Sequence, residues 1–95
     1  MTPHLIAYVR LYTTDMGGKK QAARAGWGCP CMVSKEQPLS GFDCYLVLDE
    51  PLHAGEDREG VGFVFLSSEG AEAMSQAGHF YLWEGGFIGE AFVVS

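Results

Sequence analysis

Positive charge is scarce in this chain. Its 95 residues hold six lysines and arginines against twelve aspartates and glutamates, a formal net charge of −6. Binding to phosphate backbones runs on lysine and arginine, so general nucleic-acid binding is disfavoured, as is adhesion to an anionic membrane surface. Long hydrophobic runs are missing too. The apolar stretches are only a few residues long, such as Phe63-Val64-Phe65-Leu66, where a membrane-crossing helix needs about 20. Met1-Thr2-Pro3-His4 lacks a basic stretch followed by an apolar run, so no export signal is expected. Cysteine is limited to Cys29, Cys31 and Cys44. An odd count is a poor disulfide framework, and reduced thiols in a cytoplasmic protein are the expectation.

The motifs of common chemistries are absent as well. There is no G-x-S-x-G, no H-E-x-x-H and no G-x-x-x-x-G-K-[ST], so neither a nucleophile elbow, a zinc protease helix nor a nucleotide loop is present. His4, His53 and His79 are far apart along the chain. The carboxylates of Asp49-Glu50 and Glu56-Asp57 are adjacent, so on a strand they would point to opposite faces. No enzyme is expected. Cys29-Pro30-Cys31 with Cys44 raises the question of a metal, since thiolates two apart can take a soft ion and a histidine can complete four ligands. Structural zinc sites, however, space their paired cysteines by at least two residues, and Cys44 falls in the inward set of its strand, the usual place of an inert buried thiol. The expectation is no metal and no cofactor.

What is present reads as short strands with tight turns. Thirteen glycines punctuate apolar runs. In His4 to Tyr12, Leu5, Ala7, Val9 and Leu11 alternate with Ile6, Tyr8, Arg10 and Tyr12; the first set is wholly apolar and should face a core. Cys29 to Val33 is a second candidate strand, with Pro30 demoting it to an edge, a bulge or a strand start. Phe42 to Asp49 puts Phe42, Cys44, Leu46 and Leu48 on one face. Glu50 to Gly60 reads as an acidic loop and Gly60 to Leu66 as a strand. Ser68 to Ala77 is the one helix expected, capped by Ser68 and closed by Gly78. His79 to Glu84 and Phe87 to Val94 are strands joined by Gly85-Gly86, a pair suited to a type I′ turn with positive φ at both positions. Six short strands and one helix in a single domain, residues 1–95, predict an all-β barrel or sandwich.

Two segments carry a family resemblance. The ending AGHFYLWEGGFIGEAFVV is similar to the last hairpin of the C-terminal barrel domain of elongation factor Tu, through Gly78, Phe80, Leu82, Glu84, Gly85, Gly86, Ile88, Gly89 and Val93-Val94. The beginning resembles the same domain through the strand Ala7 to Tyr12, then Asp15-Met16-Gly17-Gly18-Lys19, then Gly26-Trp27-Gly28-Cys29-Pro30. The resemblance implies a closed six-stranded, mainly antiparallel barrel, detached from its GTPase and without nucleotide hydrolysis. In that family the barrel touches the acceptor and T-stem side of aminoacylated tRNA and also protein partners. Here Trp83 and Phe87 stand where the family has arginines, and the arginine of its Gly-Tyr-Arg-Pro is replaced by Gly28-Cys29, which removes basic contacts to RNA.

Three candidate sites follow. If Phe80 and Leu82 point inward, His79, Tyr81 and Trp83 point outward with Phe87 just across the turn. Aromatic anchors of this kind suit a protein interface, unless the helix or the first strand covers them. Glu56, Asp57 and Glu59 offer a charge complement to a basic partner, or simply a solvated loop. Lys19, Lys20 and Arg24 are the candidate phosphate contacts of an alternative, RNA-binding remnant of a translation factor, or a solvated turn. The expected function is a non-catalytic, protein-binding barrel, with an immunity or antitoxin-type protein as its concrete version, since toxins attacking nucleic acid are commonly basic.

Overall fold

The computed structural model describes residues 2–95. Six strands form it: β1 (Leu5–Leu11), β2 (Gly28–Met32), β3 (Gly41–Val47), β4 (Asp57–Phe65), β5 (His79–Trp83) and β6 (Phe87–Val93), with one helix, α1 (Ser68–Ala77), between β4 and β5. They close into a barrel in the order β1-β4-β3-β2-β5-β6, every neighbouring pair antiparallel. Closure leaves no free edge, which matters for strands this apolar. The antiparallel order gathers the links 12–27, 48–56 and 84–86 at one end and the links 33–40 and 66–78 at the other. At the first end, Ala23 and Leu52 exchange backbone hydrogen bonds of 2.8 Å and tie two long links together.

The alternation read from the sequence sets the interior. Leu5, Ala7, Val9 and Leu11 are buried on β1, as are Cys44 and Leu46 on β3 and Phe80 and Leu82 on β5. Phe63 meets Phe80 edge to face with centroids 5.2 Å apart, and Phe65 packs against both. Such pairs add to the burial of each ring. Met74 of α1 is fully buried in the same cluster, so the helix seals the barrel core rather than covering its outer wall. No helix among the described residues is long and apolar enough to cross a membrane.

Four local expectations change. The helix spans Ser68–Ala77 as read, but its cap is Ser67, whose extended backbone lets the side chain accept from Gly70 N at 3.0 Å. The segment Asp57 to Glu59 belongs to β4 rather than to a loop: Asp57 pairs with Arg10 and Arg58 with Val9. A bulge at Glu59-Gly60, with Gly60 at φ +69°, resets the register before Val61 meets Ala7; glycine takes that conformation without a Cβ penalty. The Gly85-Gly86 hairpin has positive φ only at Gly85, and the register shifts between Leu82 and Trp83, so the turn is not type I′. The shift brings Trp83 opposite Phe87. Pro30 is accommodated inside the closed wall because β2 pairs with β3 over five positions but with β5 only at Cys31 and Met32; no ladder bond to β5 is asked of the nitrogen that lacks a hydrogen.

Candidate binding face

With Phe80 and Leu82 inside, the pleat of β5 turns His79, Tyr81 and Trp83 outward. The neighbours of β5 continue the row. His79 stacks on Phe92 of β6 with centroids 4.2 Å apart and planes within 10°. Phe92 in turn lies 6.1 Å from Tyr8 of β1. Tyr81 lies 4.8 Å from His79 and 6.0 Å from Phe87, and Phe87 meets Trp83 edge to face at 5.0 Å. Six rings therefore run unbroken across the outer face of β1, β6 and β5. His79, Tyr81, Trp83 and Phe87 are each half-buried, because each covers the next.

β1 joins this row through Tyr8. What crosses it is the link 33–40, which lays Lys35 over the rings. The Lys35 ammonium lies 4.8 Å from the Tyr12 centroid, 5.0 Å from Tyr81 and 5.4 Å from Phe87. Ring faces are electron-rich and attract a cation within about 6 Å. Glu90, outward on β6, hydrogen-bonds with His79 Nε2 at 2.8 Å. Arg10, Tyr12, Lys35 and Glu90 also line a groove of about 380 Å³ beside the row.

The acidic residues divide. Tyr8 donates its phenolic hydrogen to Asp57, and that bond, foremost, raises the Tyr8 hydroxyl above its ordinary value. Asp57 thus adjoins the end of the ring row, with exposed Glu59 two residues on. Glu56 instead turns back on its own loop and accepts from His53 N at 2.8 Å.

The basic residues divide as well. Lys19 is buried; its ammonium donates to Glu84 at 2.7 Å and sits 4.8 Å from the Trp27 ring. Trp27 Nε1 donates to the second oxygen of Glu84 at 2.9 Å. Burial opposes the charge on Glu84, but the bonds from Lys19 and Trp27 outweigh it and hold the carboxyl below its ordinary value. Lys20 and Arg24 remain exposed on the wide concavity of about 790 Å³ between the link 17–27 and the hairpin. Lys19 lines the same concavity, so the three basic residues share it, with the Lys19 ammonium paired to Glu84.

The three thiols converge inside the wall made by β2 and β3. All are buried, and their Sγ atoms lie within 4.8 Å of one another.

Sequence reasoning placed four of the six rings in the row. Phe92 and Tyr8 carried the same signal, outward alternation on their strands, but membership in one row depends on β6 lying between β5 and β1. Lys35 carried no signal at all. No family model matches the chain, and no curated protein matches its sequence.

Proposed function

We propose that the chain is a non-catalytic barrel that binds a protein partner through the outer face of β5, β6 and β1. It is a cytoplasmic, acidic module of the kind that the resemblance to the C-terminal domain of elongation factor Tu implies, and an immunity or antitoxin-type binder of a basic protein is its concrete form. The observation that carries this reading is the unbroken ring row with an ammonium already seated on it. Three ring faces hold the Lys35 cation, Glu90 lines the same groove, and Asp57 and Glu59 bring negative charge to the Tyr8 end of the row. A lysine or arginine of a basic partner has the chemistry to take that seat, while the surrounding rings supply apolar area. Anchors of this kind concentrate binding energy in a few large aromatic residues.

The test is affinity capture from a lysate of the source organism, with and without nuclease, followed by titration of the captured partner. The expected partner is a basic protein retained after nuclease treatment, and Trp83→Ala is expected to weaken it by about 2 kcal/mol, the range of an aromatic hot spot. Full affinity in Trp83→Ala would remove the aromatic face from this reading, and capture of RNA alone that nuclease abolishes would replace the reading with the RNA-binding one.

A further inference from the structure

The Lys35 ammonium marks a seat whose walls are ring faces. Tyr81 and Phe87 meet at an interplanar angle of 78° with centroids 6.0 Å apart, so they form two sides of a corner. Tyr12 closes a third side, its centroid 4.8 Å from the nitrogen, against 5.0 Å for Tyr81 and 5.4 Å for Phe87. What the corner lacks is a hydrogen-bond acceptor. Among the described residues, the side-chain hydrogen bonds given by lysine and arginine come from Lys19 and Arg58, and the ion pairs involve Lys19, Arg58 and His79. The three N–H groups of Lys35 are therefore left to water. Lys35 is exposed, and its withdrawal breaks no hydrogen bond.

We propose that the corner of Tyr12, Tyr81 and Phe87 is a binding site for the quaternary ammonium group of a small molecule, with Lys35 as its resident occupant. A primary ammonium is a compact, strongly hydrated charge with three donors, and ring faces satisfy those donors poorly. A trimethylammonium group has no donor to satisfy. It holds water weakly, and its methyl groups carry the charge into contact with the rings. A seat that supplies electron-rich faces and no acceptor therefore matches the quaternary cation better than the primary one it now holds. The rest of the ligand has room in the adjoining groove of about 380 Å³, where Glu90 adds a negative charge that favours a cation and Arg10 offers a free guanidinium. The site shares its rings with the protein-binding face but does not rest on that reading, since a small ligand binds or fails to bind whatever the partner.

The test is titration of the full chain with choline, followed by the N-methyl proton resonance of the ligand, which moves upfield over ring faces. A Kd of about 1 mM is expected for so small a ligand. The neutral isostere of choline, with carbon in place of nitrogen, should bind about tenfold more weakly, because it keeps the shape and loses the charge. Ethanolamine, the primary ammonium counterpart, should also bind more weakly. Lys35→Ala should tighten choline about tenfold, as expected where the seat is free only about a tenth of the time. Phe87→Leu and Tyr12→Leu each keep apolar bulk and remove one ring face, and each should weaken choline about threefold. Circular dichroism checks folding; if Phe87→Leu does not fold, Tyr12→Leu, outside the strands, and the isostere comparison on the unaltered chain decide. No saturation of Lys35→Ala at about ten times the expected Kd would overturn the proposal. So would equal binding of the neutral isostere, or ethanolamine held as tightly as choline. Each of these outcomes leaves the capture of a protein partner to its own test.

Discussion

Two links on the barrel each lay a lysine across aromatic rings, and they do so differently. Lys19 lies in the link 17–27, buried to 6 % of its side-chain surface, with Glu84 and Trp27 as partners. Lys35 lies in the link 33–40, exposed, with three ring faces. The first ammonium has a carboxylate to neutralise it and hydrogen bonds to fix it, so removing it leaves partners stranded. The second has only a diffuse attraction to rings, which water and a competing cation can replace. The same residue type over the same kind of ring is thus a fastening in one place and an occupant in the other. What separates them is whether a carboxylate closes the set.

The largest effect is expected from Lys19→Ala. Glu84 is 46 % exposed, so solvent screens part of the ion pair; the loss comes chiefly from the buried stem and from the charged hydrogen bond. A drop of about 2 kcal/mol in unfolding free energy is expected by urea denaturation. An unchanged midpoint would show that Lys19 is an occupant too.

Acid should weaken the same fastening next. The folded Glu84 carboxyl lies below its ordinary 4.5, so its contribution is complete above that value and fades as pH falls through the lower, folded one. Glu84→Gln is expected to lower stability at neutral pH and to flatten the acid limb of the stability curve. Thermal melts from pH 6 to pH 3 check both, and a parallel shift of the whole curve would contradict the assignment.

Lys35→Ala should have the smallest effect on folding, within about 1 kcal/mol, as an exposed cation over rings contributes no more. On binding it should act in the opposite sense, tightening the captured basic partner because the seat is vacated. Weaker binding would make Lys35 a contact rather than an occupant, and the contrast between the two lysines would fall.

Much of the barrel was legible in the sequence because strand alternation is a local property. Leu5, Ala7, Val9 and Leu11 had to face one way, and they do. The helix was legible because Gly78 and the acidic start bracket a short run between apolar strands. What was not legible depends on pairing. The bulge at Glu59-Gly60 exists only relative to Tyr8 on the neighbouring strand, so no pattern within β4 reveals where that strand begins. The ring row needed the order β5-β6-β1, and the inward turn of Lys19 needed Glu84, 65 residues away. The thiols show the limit most clearly. Spacing along the chain does not say that they meet, while the β2–β3 register sets Cys44 directly opposite Cys29.

The two tryptophans sit at these two contrasting places. Trp27 gives its indole hydrogen to Glu84 beneath the Lys19 ammonium, and Trp83 stands edge to face against Phe87 at the end of the ring row. Their fluorescence therefore divides along the same line as the chemistry. Emission from Trp27 follows the protonation of one carboxylate, and emission from Trp83 follows whatever lies on the outer wall. A chain that keeps only one of them is a private optical channel to one of the two regions, readable without a label.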